Sequence, residues 1–298
     1  MQTLYWKAGT EVADQAEHLR EYIRGNHRQA RVIAVTSGKG GVGKTGTSVN
    51  LAIALAMRRK EVVVLDADLG LANVEVLLGL NSLYNLQHVI HGERSMTDVL
   101  ADGPGGIKVI PGSSGIAKLA DLGPKARQRV IDGLRDLQEY AHFIIIDTMA
   151  GISQNAAGFA AAADEVLLVV TPEPSSIVDA YAMVKTIRMM RHDVVFRVVV
   201  NMAANDQQAR AVAAKLMTVS QQYLGHKLHY LGYIPRDPHV SHGVMQSIPF
   251  VLKYPGAPAT KAIEALAERV ITQRAAATGT VGGFFRRFAE TIGLASNG

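Results

Sequence analysis

The chain contains no cysteine, so it can form no disulfide and no thiolate-ligated zinc or iron–sulfur centre. It also has no apolar run near the roughly 20 residues needed to span a bilayer, and residues 1–30 lack the apolar centre of a secretory signal. An intracellular protein is the expectation. Charge of one sign is scarce too: the net charge is +5, and part of it sits at Arg58, Arg59 and Lys60, where it suits the end of a helix better than a nucleic-acid surface. No specific nucleic-acid partner is expected. What is present is an ordinary globular interior, 48% hydrophobic with 19% charged residues over 298 positions. That length suits one doubly wound α/β domain of about 250 residues with short appendages.

Residues Gly38–Thr45 read GKGGVGKT. The β-branched run Arg31–Thr36 precedes them, and Thr47–Met57 follows with Val49, Ile53 and Ala56 on one helical face. Strand, glycine-rich turn and helix in that order make an anion cradle from backbone N–H groups and a helix N-terminus. Gly38, Gly40, Gly41, Val42, Gly43 and Gly46 would supply backbone to phosphate oxygens, Lys44 a point charge for the outer phosphates, and the Thr45 hydroxyl a ligand for Mg²⁺. ATP or ADP with Mg²⁺ is the cofactor set this implies.

Lys39 has no intrachain duty in an ordinary phosphate loop. With it the stretch resembles the deviant loop of the MinD/ParA family, in which this lysine reaches across a dimer interface to the partner's nucleotide. That resemblance implies an ATPase that homodimerises when ATP binds, folded as a doubly wound, mostly parallel sheet with helices on both faces. The iron–sulfur relatives in the same superfamily need thiolates that this chain lacks. Gly46 departs from the usual pattern, which carries a second threonine there.

Apolar strands alternate with helical stretches to about residue 270, with strands expected at 31–36, 61–66, 107–110, 142–147, 165–171, 194–201 and 228–233. Ligands collect at the carboxyl ends of such strands. Asp68, just beyond the second strand, can orient or deprotonate an attacking water, and the resemblance makes it the catalytic residue with Asp66 near the metal. Loop acids capping the next helix are the alternative. Asp147 ends the run HFIIID and matches the acid that directs Mg²⁺; Thr148, Ala150 and Gly151 match the second switch, with Met149 a departure. Asn201, Pro235 and Asp237 resemble the adenine pocket, Asn201 because a strand-end amide can read a base edge. His239 and His242 lack an apparent third metal ligand nearby.

Three regions result: residues 1–30 as an N-terminal extension, 31–273 as the ATPase domain, and 274–298 as a linker and C-terminal helix. In the extension, DQAEHLR (14–20) resembles the activator element of the FlhG (FleN/YlxH) branch, which controls flagellar number and placement. There it stimulates FlhF, a signal-recognition-type GTPase, so Asp14, Gln15, Leu19 and Arg20 become candidate activating residues; packing on the chain's own domain is the alternative. In the C-terminal helix, Phe284, Phe285, Phe288 and Ile292 share one face opposite Arg286 and Arg287, which suits an anionic membrane surface. The same face also suits docking on its own domain. The reading is a slow ATPase, peripheral on the inner membrane face when ATP-bound, whose further partners are flagellar C-ring components or a flagellar transcription regulator. A division-site or partition ATPase, or a non-hydrolysing anti-activator adaptor, remain alternatives.

Overall fold

The computed structural model describes residues 30–68, 73–112, 124–137 and 140–273, together with positions 284 and 287. Asp14, Gln15, Leu19, Arg20, Phe285, Phe288 and Ile292 lie outside the described residues.

The first strand, β1 (Arg31–Thr36), leads through the glycine loop into α1 (Lys44–Ala56). The chain continues as β2 (Val62–Ala67), α2 (Asn73–Leu78), α3 (Leu86–His91), β3 (Ala101–Asp102), β4 (Lys108–Ile110), α4 (Pro124–Asp136) and β5 (Phe143–Thr148). Beyond these come α5 (Gln154–Ala162), β6 (Glu165–Val170), α6 (Pro174–Met190), β7 (Val195–Ala203), α7 (Asp206–Leu224), β8 (His229–Pro235), α8 (Pro238–Met245), α9 (Phe250–Lys253) and α10 (Pro258–Thr272). The sheet order is β3-β4-β2-β5-β1-β6-β7-β8, parallel except for the short β3 against β4. This is the expected doubly wound architecture.

Continuous apolar strands such as FIIID and EVLLVV form here because both faces of a parallel sheet are covered, so no alternation is needed. Val49, Ile53, Phe250 and Ile263, from α1, α9 and α10, pack on one face; Val89, Phe159, Met183 and Leu216, from α3, α5, α6 and α7, pack on the other. The register sets Asp147 level with Val35 on β1 and Asp66 on β2, so two carboxylates meet at the carboxyl edge beside the glycine loop.

At the opposite edge, Glu165 is fully buried between Arg31 and Arg197, and both arginines also reach carbonyls at the end of α10. This pins the end of α10 to the sheet. Among the described residues no helix is long and apolar enough to cross a membrane.

Phe284 corrects the expectation of a lipid-facing residue. It is 0% exposed, packed in the layer on the α5–α7 side of the sheet. Arg287 joins it by donating to the Ala162 carbonyl at 2.9 Å and to Asp164 at 3.1 Å. Burying a phenylalanine contributes roughly 1.5–3 kcal/mol, and its own domain supplies that burial here.

Candidate functional site

Gly43 opens α1 with φ +83°, a left-handed conformation that glycine adopts without steric cost. Gly38 is glycine for another reason. A Cβ there would lie 2.1 Å from the backbone of Asp179 in α6, so the loop and that helix touch main chain to main chain. Gly46 is the opposite case, with open space where a side chain would go.

The loop delivers its polar groups to Asp147, which is 0% exposed. Lys44 Nζ donates to Oδ1 at 2.9 Å, Thr45 Oγ1 to Oδ2 at 2.6 Å and Ser48 Oγ to Oδ1 at 2.8 Å. A buried carboxylate taking a cation and two hydroxyls is fully compensated. The same groups form a hard-oxygen donor set beside an ammonium, which fits Mg²⁺ held by Thr45 and Asp147 with phosphates on Lys44. Ser48 was not anticipated, although it stands one helical turn beyond Lys44 and therefore on the same face.

Asp66 lies beside Asp147 and has a second engagement that its place at a strand end did not announce. Its two oxygens accept the backbone N–H groups of Asp68 at 3.0 Å and Val74 at 3.1 Å, so it clips the segment leading into α2. Burial pushes its carboxyl up to about 7; those N–H groups oppose the rise, and the neighbouring Asp147 adds to it. Its role here is to fix the backbone that carries Asp68. The Asp68 carboxylate is in turn held by Asn73 Nδ2 at 2.7 Å.

Lys39 does not join the groups around Asp147. Its ammonium lies 2.6 Å from Glu173 and 3.0 Å from the Ser175 hydroxyl, at the start of α6. That hydrogen bond and charge hold the Glu173 carboxyl below its ordinary range. Both side chains are well exposed, so the pair is easily broken. Nothing in the sequence signals this pairing across more than a hundred residues.

At the expected base pocket, Asn201 donates to the Val42 carbonyl at 2.8 Å and accepts from Met202 N at 2.9 Å, while Met202 sits at φ +58°. Reading a base would require exchanging one of these bonds, and the left-handed Met202 marks strain of the kind stored at binding sites. Pro235 ends β8 beside Ala203. The Asp237 carboxylate accepts from His239 N at 2.9 Å and Ala259 N at 3.0 Å, so it caps α8 and α10 together. In the expected second switch, Gly151 N donates to the Ser37 carbonyl at 3.2 Å, tying that loop to the residue that enters the glycine loop.

Residues 28–271 match the protein family described as ParA, NUBPL iron-transfer P-loop NTPase. The chain is 43% identical over 246 residues to antiactivator FleN of Pseudomonas aeruginosa, covering 83% of this chain and 88% of FleN. It is 38% identical over 213 residues to the flagellum site-determining protein YlxH of Helicobacter pylori, covering 70% and 71%. The cell division ATPase MinD of Pyrococcus furiosus superposes with TM-score 0.66 at 26% identity, over 82% of this chain and all of that one. The iron-transfer role in the family description requires ligands other than thiolates in a chain without cysteine. A phosphate loop with a second lysine, a buried acid at the sheet edge and these relatives together show that the chain belongs to the ParA/MinD family of P-loop NTPases.

Proposed function

We propose that the protein is an ATP-hydrolysing switch that dimerises when ATP binds and controls the number or placement of flagella. The observation that carries this is Lys39, paired with exposed Glu173 rather than with Asp147, while Lys44 fills the cation position beside Asp147. A lysine built into the loop yet spare of the Asp147 cluster, and held only by an exposed ion pair, is suited to a second subunit's nucleotide. The names of the FleN and YlxH relatives support the flagellar task.

In this reading the loop N–H groups and Lys44 bind the phosphates, trading the Asp147 contact for phosphate oxygen. Thr45 and Asp147 hold Mg²⁺, which when bound neutralises charge developing on the phosphates. Asp68, positioned by Asn73 and by the Asp66 clip, orients or deprotonates water. Asn201, Pro235 and Asp237 shape the base pocket. The element at 14–20 acts on an FlhF-type GTPase. Phe284 and Arg287 docked on the domain represent the resting arrangement; release of the C-terminal helix in the dimer gives two membrane contacts at once, where avidity of about a hundredfold or more outweighs marginal single binding. The name of the FleN relative also supports a role against a flagellar transcription regulator, which the same dimer can serve.

Sedimentation with phosphatidylglycerol vesicles under ATP, ADP and no nucleotide tests this reading. ATP-dependent sedimentation that is lost in Phe285→Glu/Phe288→Glu supports it. Sedimentation that ignores nucleotide, or none at all, refutes the membrane switch.

A further inference from the structure

The edge of the sheet opposite the nucleotide site carries a second feature, independent of the Lys44–Asp147 cluster. There α6 and α7 end side by side, joined by Arg188 donating to the Leu224 carbonyl. Residues 180–192 and 207–236 contain no aspartate or glutamate. Lys185, His192, Lys227 and His229 are all exposed along this rim. Between them stand Met189, 76% exposed, and Tyr223, 68% exposed.

Basic residues at helix ends commonly serve the terminal carbonyls, and two arginines already do so here. Arg188 takes Leu224, and Arg191 takes the Ala161 and Ala163 carbonyls of α5 at 2.8 and 2.7 Å. The nearby acids are also satisfied: Asp193 pairs with Arg191 at 2.7 Å and buried Asp164 pairs with Arg287. Among the described residues neither Lys185 nor Lys227 has an ion-pair partner. Two uncommitted ammonium groups flanking an exposed methionine and tyrosine match the interfacial layer of a bilayer, where lysines meet anionic headgroups and amphipathic side chains sit at the boundary.

The rim is continuous with the tail. Arg287 and Arg191 bind adjacent carbonyls at the end of α5, so Arg287 is held beside this surface. We propose that the rim formed by the ends of α6 and α7 is a second contact surface for an anionic bilayer, engaged when the C-terminal helix inserts. It rests on the membrane reading above and adds a domain surface to it. The tail supplies apolar insertion and the rim supplies charge, so their contributions separate by lipid composition and salt.

The test uses the full chain with ATP and vesicles of phosphatidylcholine containing 0, 20 and 50% phosphatidylglycerol. Lys185→Gln/Lys227→Gln removes two surface charges, both remote from the nucleotide site, so hydrolysis without vesicles stays at the wild-type rate. Binding to 50% phosphatidylglycerol is expected to weaken about thirtyfold at low salt, with a shallower dependence on salt and on anionic lipid. Equal binding of variant and wild type overturns the proposal and leaves the tail reading intact. A wild type that binds no vesicle overturns both. A variant that keeps vesicle binding but loses binding to random-sequence duplex DNA assigns the rim to nucleic acid and likewise overturns it.

Discussion

Asp237→Asn is the perturbation that best tests how the base-pocket loop is held. Asp237 is 7% exposed, and its carboxylate takes N–H donors from the first turns of two helices, α8 and α10, plus the His239 ring at 2.7 Å. Asparagine keeps the shape but must turn its NH₂ toward one of those N–H groups. Leaving that buried donor unpaired costs about 1–3 kcal/mol. Losing negative charge at two helix N-termini adds about 0.3–1 kcal/mol for each. A total of about 2–5 kcal/mol corresponds to a fall of about 4–20 °C in melting temperature for a domain of this size. Burial pushes the Asp237 carboxyl up, but hydrogen bonds from Ala259 and His239 outweigh it and leave it below its ordinary value. A carboxyl depressed by folding stabilises fully above its unfolded pKa of about 3.9, and that contribution fades as pH falls through the folded value. The difference between wild type and variant should therefore be complete at pH 7 and shrink below about pH 4. Thermal melts followed by circular dichroism read both effects. A variant melting within 1 °C of wild type at pH 7, or a difference unchanged at pH 3, would refute the double cap.

Gly38→Ala should lower stability by more than about 3 kcal/mol, because its Cβ meets the backbone of α6, whereas Gly40→Ala, whose nearest neighbour is at 3.9 Å, should melt within about 2 °C of wild type; equal melting of the two would remove the close-approach argument. Gly46→Ala fills open space in the first turn of α1 and should raise stability by about 1 kcal/mol, read as a 2–4 °C rise in melting temperature. Phe284→Ala without nucleotide should free the C-terminal segment, seen as faster tryptic cleavage in 274–298; an unchanged cleavage rate contradicts the docked arrangement.

The strands were legible because buried parallel strands are written as continuous β-branched runs. Arg31–Thr36 is read to the residue, and the other expected strands shift by at most two residues at either end. β3 was not legible: a two-residue antiparallel edge has no period to detect. In the site, the glycine loop and Asp147 follow from local spacing, since strand, turn and helix fix their relation. Asp66 lies beside Asp147, but its bonds to the Asp68 and Val74 N–H groups were not legible, because one carboxylate at a strand end reads alike whether it faces a metal or takes backbone N–H groups. The Glu173 contact of Lys39 and the burial of Phe284 depend on segments far apart in the chain, and an amphipathic face does not say what covers it.

Sedimentation equilibrium of Asp68→Ala with and without Lys39→Ala, under saturating ATP or ADP, tests the switch most directly. Asp68→Ala is expected to dimerise with ATP and not with ADP, and adding Lys39→Ala is expected to return it to monomer while ATP still binds. A chain that stays monomeric with ATP bound, or a Lys39→Ala variant that dimerises as well as its parent, would contradict a lysine that acts across the interface.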